Sequence, residues 1–336
     1  MIVLLGRVID AISDDPIERG VVAVEGEDIR FVGAQASFQI PKDALVYEMD
    51  DATILPGFID AHAHLTGQES IHRSGDTPFD LLLTAVRDLS DLVDAGVTGV
   101  RDMSLFGAPL KRAVKKGLIT GPRIMPGGRV LSPSAGHVDL NPHRPVSEQN
   151  ETSVIGYLVD GPQQCLQGVR QMFREGAEFI KICATGGVSS AVDQLNDIQF
   201  SDEELDVMVA EASRHGTYVA AHCTGTEGTK HALKAGVRSI EHGVMLDEYC
   251  IQLMKDLDAT LVSTLSVSLG ISEYRNLPDH MVKKAKNIRE HCLRSYHMAH
   301  EAKIRVALGT DYSNSENTPF AEIGHEFYAL TQCGYT

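Results

Sequence analysis

The sequence predicts an α/β fold: a (β/α)8 TIM barrel over residues 55–336, preceded by a small, incomplete β-sandwich over residues 1–54. Three observations predict it. Short apolar runs bounded by glycine and acidic turns fill residues 1–54, as strands do. From residue 54 the pattern changes to strand, loop and helix, repeated in eight units. The residues able to carry chemistry fall where those strand-like runs end, the face on which a barrel of this kind builds its site.

Taken in order, the first strands are Ile2–Leu5, Val21–Val24, Ile29–Val32 and Val46–Glu48. Gly6, Gly20, Glu25-Gly26-Glu27-Asp28 and Gly33 supply the turns between them. The opening Met1-Ile2-Val3-Leu4-Leu5-Gly6-Arg7 has no basic start, long apolar stretch or small-residue cleavage site, so it reads as a first strand and not a signal peptide. The barrel strands end near His64, Asp102, Leu131, Ala184, Cys223, Gly243, Ser266 and Asp311. Helical patterns fill 78–95, 107–117, 160–176, 201–215, 226–235, 247–257, 279–303 and 318–332. Ser201 and Glu204 are spaced as a capping box, and Gly96, Gly176, Gly216 and Gly236 stand where helices end. No GxGxxG opens a helix after the first strand, which argues against a dinucleotide-binding open sheet. The units share no sequence period, so a solenoid is not expected.

Composition narrows the function. With 336 residues and 43% apolar content the chain can build a large core. It has no run of about 18 apolar residues for a membrane span. The net charge of −16, with no basic cluster interleaved with aromatics, excludes nucleic acid as an expected partner. The run Lys283-Lys284-Ala285-Lys286 reads as a solvated helix face. Cys165, Cys183, Cys223, Cys250, Cys292 and Cys333 form no CxxC and no dense framework. They read as free thiols of a reducing compartment, hence a cytoplasmic protein.

The candidate site begins with Ile54-Leu55-Pro56-Gly57-Phe58-Ile59-Asp60-Ala61-His62-Ala63-His64. On a strand, the i, i+2 spacing puts both imidazoles on one face, where they can hold a divalent transition metal. Lys181 lies inside the hydrophobic strand-like run Glu178–Ala184, where an unpartnered ammonium is costly. His222, His242 and Asp311 each end a further strand. Alone, each has an ordinary explanation: a lysine reaching solvent, hydrogen-bonded core histidines, an aspartate capping a helix. Together they occupy five strand ends of one barrel, which those explanations do not account for.

Gly57–His64, Ile180-Lys181 followed by Ala184-Thr185-Gly186-Gly187, Ala221-His222, Glu241-His242-Gly243 and Gly309-Thr310-Asp311 resemble the amidohydrolase superfamily. Within it they are most similar to the imidazolonepropionase-related, prolidase-like branch, with its Xaa-Pro dipeptidases and arginine or lysine carboxypeptidases. The resemblance implies two divalent ions, zinc for so imidazole-rich a set. His62, His64 and Asp311 would hold one and His222 and His242 the other, bridged by a CO2-derived carbamate on Lys181. Imidazolonepropionases proper lack that lysine and use one metal. The implied reaction is hydrolysis of an amide or peptide bond of a small molecule, a dipeptide or N-acyl amino acid. A metal-bridging hydroxide would attack the carbonyl, and Asp311 would carry its proton to the leaving amine. A cyclic-amide hydrolase or deaminase on the same scaffold is the alternative. A non-catalytic assembly protein is disfavoured, because all the ligands are kept.

Substrate determinants are sparser. Ser132-Pro133-Ser134-Ala135-Gly136-His137 stands where relatives carry Gly-Gly-His, which makes His137 a candidate for polarising or binding substrate, or else an ordinary loop histidine. After His222 the chain has Cys223-Thr224-Gly225 where relatives place Ala-Tyr or Ala-His and then Thr, so a side chain often near substrate is missing. Arg129, Arg144 and Arg275 are candidate carboxylate binders, and His280, His291, His297 and His300 are expected to be solvated. The chain ends just after its last helical pattern, where relatives return strands to the sandwich. The expectation is a fragment, or a homo-oligomer in which another subunit covers the N-terminal strands.

Overall fold

The computed structural model describes residues 1–66 and 77–336. The chain divides into two compact units, Met1–Phe58 and Ile59–Thr336. In the first, β1 (Ile2–Val8), β2 (Ile17–Glu25), β3 (Asp28–Ala34) and β4 (Leu45–Ile54) form one sheet in the order β3-β2-β1-β4. β1 pairs antiparallel with β2 and parallel with β4. The strand period of two sorts the apolar residues. Val3, Val21 and Ala23 are buried on one face, with Leu5, Phe31, Phe38 and Ile40 packed against them. On the other face Ile2, Val32, Leu45 and Tyr47 are between 40% and 54% exposed.

The second unit alternates strands and helices. It comprises β5 (Phe58–Ala63), α1 (Pro78–Asp94), β6 (Val97–Asp102), α2 (Gly107–Lys115), β7 (Arg123–Pro126), β8 (Val130–Ser132), α3 (Val146–Thr152), β9 (Gly156–Leu158) and α4 (Gly161–Glu175). Next come β10 (Ile180–Cys183), α5 (Asp202–Arg214), β11 (Val219–Cys223), α6 (Thr226–Lys234), β12 (Ser239–His242), α7 (Glu248–Asp256) and β13 (Thr260–Val262). α8 (Leu265–Gly270), α9 (Asp279–Ala285), α10 (Ile288–Glu301), β14 (Val306–Ala307) and α11 (Gly324–Thr331) complete it. Two sheets result, a seven-stranded one ordered β14-β13-β12-β11-β10-β8-β9 and a three-stranded one ordered β5-β6-β7. The pairings from β14 through to β9, and that of β6 with β7, are parallel.

The strand expected to end near Leu131 is therefore two strands. Gly127 and Gly128 break it: a Cβ on Gly127 would stand 2.5 Å from the Phe179 ring, and Gly128 has φ +69°. β7 consequently pairs with β6 while β8 pairs with β10. Main-chain bonds also reach from β5 to the segment after β14, with Ala61 N–H donating to Leu308 O at 2.8 Å and His64 N–H to Tyr312 O at 2.9 Å.

Strand alternation divides the interior. Ile180, Ile182, Val219, Ala221, Ile240 and Leu261 pack against Val169, Met172, Leu205, Met208 and Leu233 of the helices. Lys181 and His222 alternate with them and line a cavity. The helices follow their local signals. Ser201 and Glu204 form the expected capping box on α5, Thr77 and Asp80 form another on α1, and Gly176 closes α4 at φ 106°. Two further expectations are corrected. The strand expected to run to Ser266 stops at Val262, because the chain turns through Thr264 (φ 125°) into α8. The helix expected over 279–303 is broken by Asn287 in the left-handed region into α9 and α10. α3 and β9 had no forecast. All six cysteines are free and buried, and among the described residues no helix is long and apolar enough to cross a membrane.

Candidate metal centre

His62, His64, His137, Lys181, His222, His242 and Asp311 all line one cavity of about 360 Å³. His62, His64 and Asp311 are the tightest group, each offering a donor atom within 4.8 Å of the others. His64 Nε2 lies 3.0 Å from Asp311 Oδ1, and His62 Nε2 lies 3.3 Å from it. The remaining rings stand close by: His62 to His242 at 4.9 Å, His242 to His222 at 4.5 Å, and His222 stacked on His137 at 4.3 Å between centroids. Two of these residues, His242 (φ 69°) and Asp311 (φ 61°), are held in the left-handed region, which is strained for any side chain other than glycine.

The fold orients each donor through its far side. His62 Nδ1 donates to Glu241 Oε2 at 2.7 Å, which fixes the tautomer and turns Nε2 towards Asp311. His62 Nε2 is buried and has no hydrogen-bond partner among the described residues. Burial alone would raise the Glu241 carboxyl, but Arg101 and His62 hold it well below the usual carboxylate range. Arg101 donates to Glu241 Oε1 at 2.6 Å, and Ser239 Oγ donates to the same atom. His64 Nδ1 faces Met103 O at 3.1 Å, leaving its Nε2 to face the aspartate. Asp60 ties both ends of the group together, accepting from His62 N–H, Thr310 N–H and Thr310 Oγ1.

His242 Nδ1 lies 2.8 Å from Thr264 Oγ1, and His222 Nε2 lies 3.0 Å from Thr224 Oγ1. Burial holds both imidazoles well below the ordinary range, so both are neutral with a lone pair to offer. Lys181 is 2% exposed, and burial lowers its amine against the opposing pull of Glu241 and Asp311. Burial would raise Asp311, but His62 and His64 keep it a carboxylate.

The seventh residue, His137, is held from a direction that the sequence did not reveal. Its Nδ1 lies 3.2 Å from Asp193 Oδ2, and Asp193 Oδ1 accepts from Lys284 Nζ at 2.7 Å. Lys284 also donates to Gly187 O and Ser190 O, so this buried ammonium clamps the loop after β10. It is not part of a solvated face, which corrects the reading for Lys284, while Lys283 and Lys286 are exposed as expected. His280 is likewise engaged, with Nε2 3.1 Å from Ser189 O. Of the candidate carboxylate binders, only Arg275 lines the cavity, and it is paired with Glu316. Arg129 is buried against Glu175, and Arg144 pairs with Glu148 on the surface.

A parallel α/β scaffold that delivers five imidazoles, an amine and a carboxylate to one cavity defines a class, the α/β proteins with a donor-lined site at their strand ends. Within it the chain belongs to the amidohydrolase family, whose profile matches residues 53–332. It is 31% identical over 318 residues to an ochratoxinase of Aspergillus niger, an alignment covering 88% of this chain. The chain spans 66% of the length of that curated relative. The crystal structure of the A. niger ochratoxinase superposes with a TM-score of 0.86 at 28% identity, covering all of this chain and 80% of the other. A Xaa-Pro dipeptidase with bound methionine superposes at 0.87 and 28% identity, covering 99% of this chain and 84% of the other. A prolidase complexed with N-methylphosphonate-L-proline superposes at 0.84 and 28%, covering 98% and 88%.

Proposed function

We propose that the protein is a metal-dependent hydrolase cleaving the amide or peptide bond of a small substrate, a dipeptide or N-acyl amino acid, in the cytoplasm. The two parallel sheets are read as one closed (β/α)8 barrel, joined by the Ala61–Leu308 hydrogen bond and the Ala63–Tyr312 bridge. The observation that carries the functional reading is His62 Nε2, buried with no hydrogen-bond partner among the described residues and facing Asp311 beside His64. A buried imidazole nitrogen left unpaired is costly unless something ligates it. His62, His64 and Asp311, which lie together, would hold one divalent ion, and His222 and His242 would hold a second, with Lys181 supplying negative charge as a CO2-derived carbamate. The lysine suits that modification, since burial favours the neutral amine that reacts with CO2.

Bound there, the ions would supply an acidified water and a polarised carbonyl. The chain's own residues do the rest. Asp311 accepts the water's proton and returns it to the leaving nitrogen. Glu241 keeps His62 in one tautomer, and Asp193 does the same for His137, which faces the cavity and binds the substrate carbonyl. The relatives named prolidase, Xaa-Pro dipeptidase and ochratoxinase support a small amide substrate.

The test is a panel of dipeptides, N-acyl amino acids, lactams and aminoheterocycles, assayed before and after chelation. The expected result is turnover of linear amides, abolished by chelator and restored by zinc. Turnover confined to lactams or aminoheterocycles would favour the cyclic-amide or deaminase alternative. No turnover by the metal-replete protein on any member would overturn both.

A further inference from the structure

A second cavity, of about 180 Å³, shares His137, His222, His242 and Asp311 with the first. Beyond those side chains its lining is mostly apolar, interrupted by the hydroxyls of Ser189, Thr224, Ser268 and Tyr274. Val188 follows β10, Val244 follows β12, Val267 lies on α8, Ile271 follows it, and Ile288 opens α10. Val244, Ile271 and Ile288 are buried. Among the described residues, no lysine, arginine or glutamate lines it, and Asp311 lies at the shared donor cluster. The larger cavity differs, with Arg275, Asn276, Ser313, Ser315 and Asn317 in its wall.

We infer that the smaller cavity is a pocket for one compact, uncharged apolar group of the substrate, a phenyl or branched aliphatic side chain. The charged or polar remainder lies in the larger cavity, and the scissile amide lies at the donor cluster where the two meet. This rests on the amide-hydrolase reading. The chemistry of the wall decides against other occupants. Aliphatic carbons ligate no metal, so the space beyond the histidines is not metal space. An apolar cavity does not hold water well, and one of about 150 Å³ accepts benzene. A charged group among Val244, Val267, Ile271 and Ile288, away from the donor cluster, would lose its hydration without a counter-charge from that part of the wall.

The experiment has a binding arm and a turnover arm. Toluene is titrated into the zinc-supplemented full chain and into Val267→Phe, which fills the pocket, with heat of binding as the readout. Saturable binding to the parent protein and its loss in V267F are expected. The turnover arm compares N-acetylphenylalanine with N-acetylglycine, and Phe-Gly and Gly-Phe with Gly-Gly. The phenyl-over-glycine ratio of kcat/KM should fall about tenfold or more in V267F for whichever series places its side chain in the pocket, the scale of pocket discrimination seen for added apolar bulk. If V267F does not fold, Ile271→Ala serves instead. It enlarges the pocket and should shift the preference from phenyl to naphthyl side chains. No toluene binding by the parent, or an unchanged ratio in every series, overturns the pocket. Toluene binding with no amide turned over would leave the pocket standing and bring down the hydrolase reading.

Discussion

Lys284 carries a buried positive charge that is fully spoken for, with Gly187 O, Ser190 O and Asp193 Oδ1 within 2.9 Å of Nζ. Removing one partner of such a pair leaves the other charge buried and uncompensated, at a cost of about 3 to 5 kcal/mol. Lys284→Met should lose about that much in urea denaturation at neutral pH. Burial would raise the Asp193 carboxyl, but His137 and Lys284 hold it below its ordinary value of 3.8. Its contribution is therefore present above pH 3.8 and is lost as pH falls through the lower folded value. The deficit of Lys284→Met should shrink in that acid window, and a deficit independent of pH would contradict the pairing. Residues at this scale were legible in proportion to how badly they fit their surroundings. A lysine inside Phe179–Cys183, or histidines closing apolar runs, break a pattern and so announce themselves. Lys284 and Asp193 break none, because their burial comes from the α9 and 187–193 segments meeting in space. The strained backbone at His242, Asp311 and Thr264 left no trace in residue type either.

At the scale of elements, α11 supports the site through Glu326. Its carboxylate is buried and accepts N–H bonds from Thr264, Leu265 and Ser266, fixing the start of α8 and with it the Thr264 hydroxyl against His242. Burial pushes the Glu326 carboxyl up to about 7 from an ordinary 4.5, against the pull of Ser263 and these N–H groups. A carboxyl raised on folding binds more protons in the folded chain between those two values. Stability therefore falls as pH rises from 4.5 to 7, by on the order of 3 kcal/mol in total. Glu326→Gln keeps an acceptor and removes the titration. The stability of the parent minus that of Glu326→Gln should decrease across this window when both are denatured in urea, and a flat difference would contradict the account. The repeating strand–helix rhythm made most elements readable, because caps and periodicity are local. The break at Gly127-Gly128 and the turn at Thr264 were not, since each answers a tertiary contact: the Phe179 ring in one case, Glu326 in the other.

At the scale of the whole molecule, the N-terminal sheet exposes Ile2, Val32, Leu45 and Tyr47 on one face. A contiguous apolar face of this kind drives association or binds apolar probes. The native chain should bind a hydrophobic dye, and the combined Ile2→Thr, Leu45→Thr and Tyr47→Thr variant should bind distinctly less. Equal fluorescence from both would show that the face is not the binding surface.

If the donor cluster holds two metal ions with Lys181 between them, as proposed, metal content will show it. The chain purified without chelator and supplied with zinc should carry close to two ions by elemental analysis. Lys181→Ala, with its fold verified by circular dichroism, should carry at most one. A folded parent that takes up no metal, or a Lys181→Ala variant that still carries two, would contradict the account.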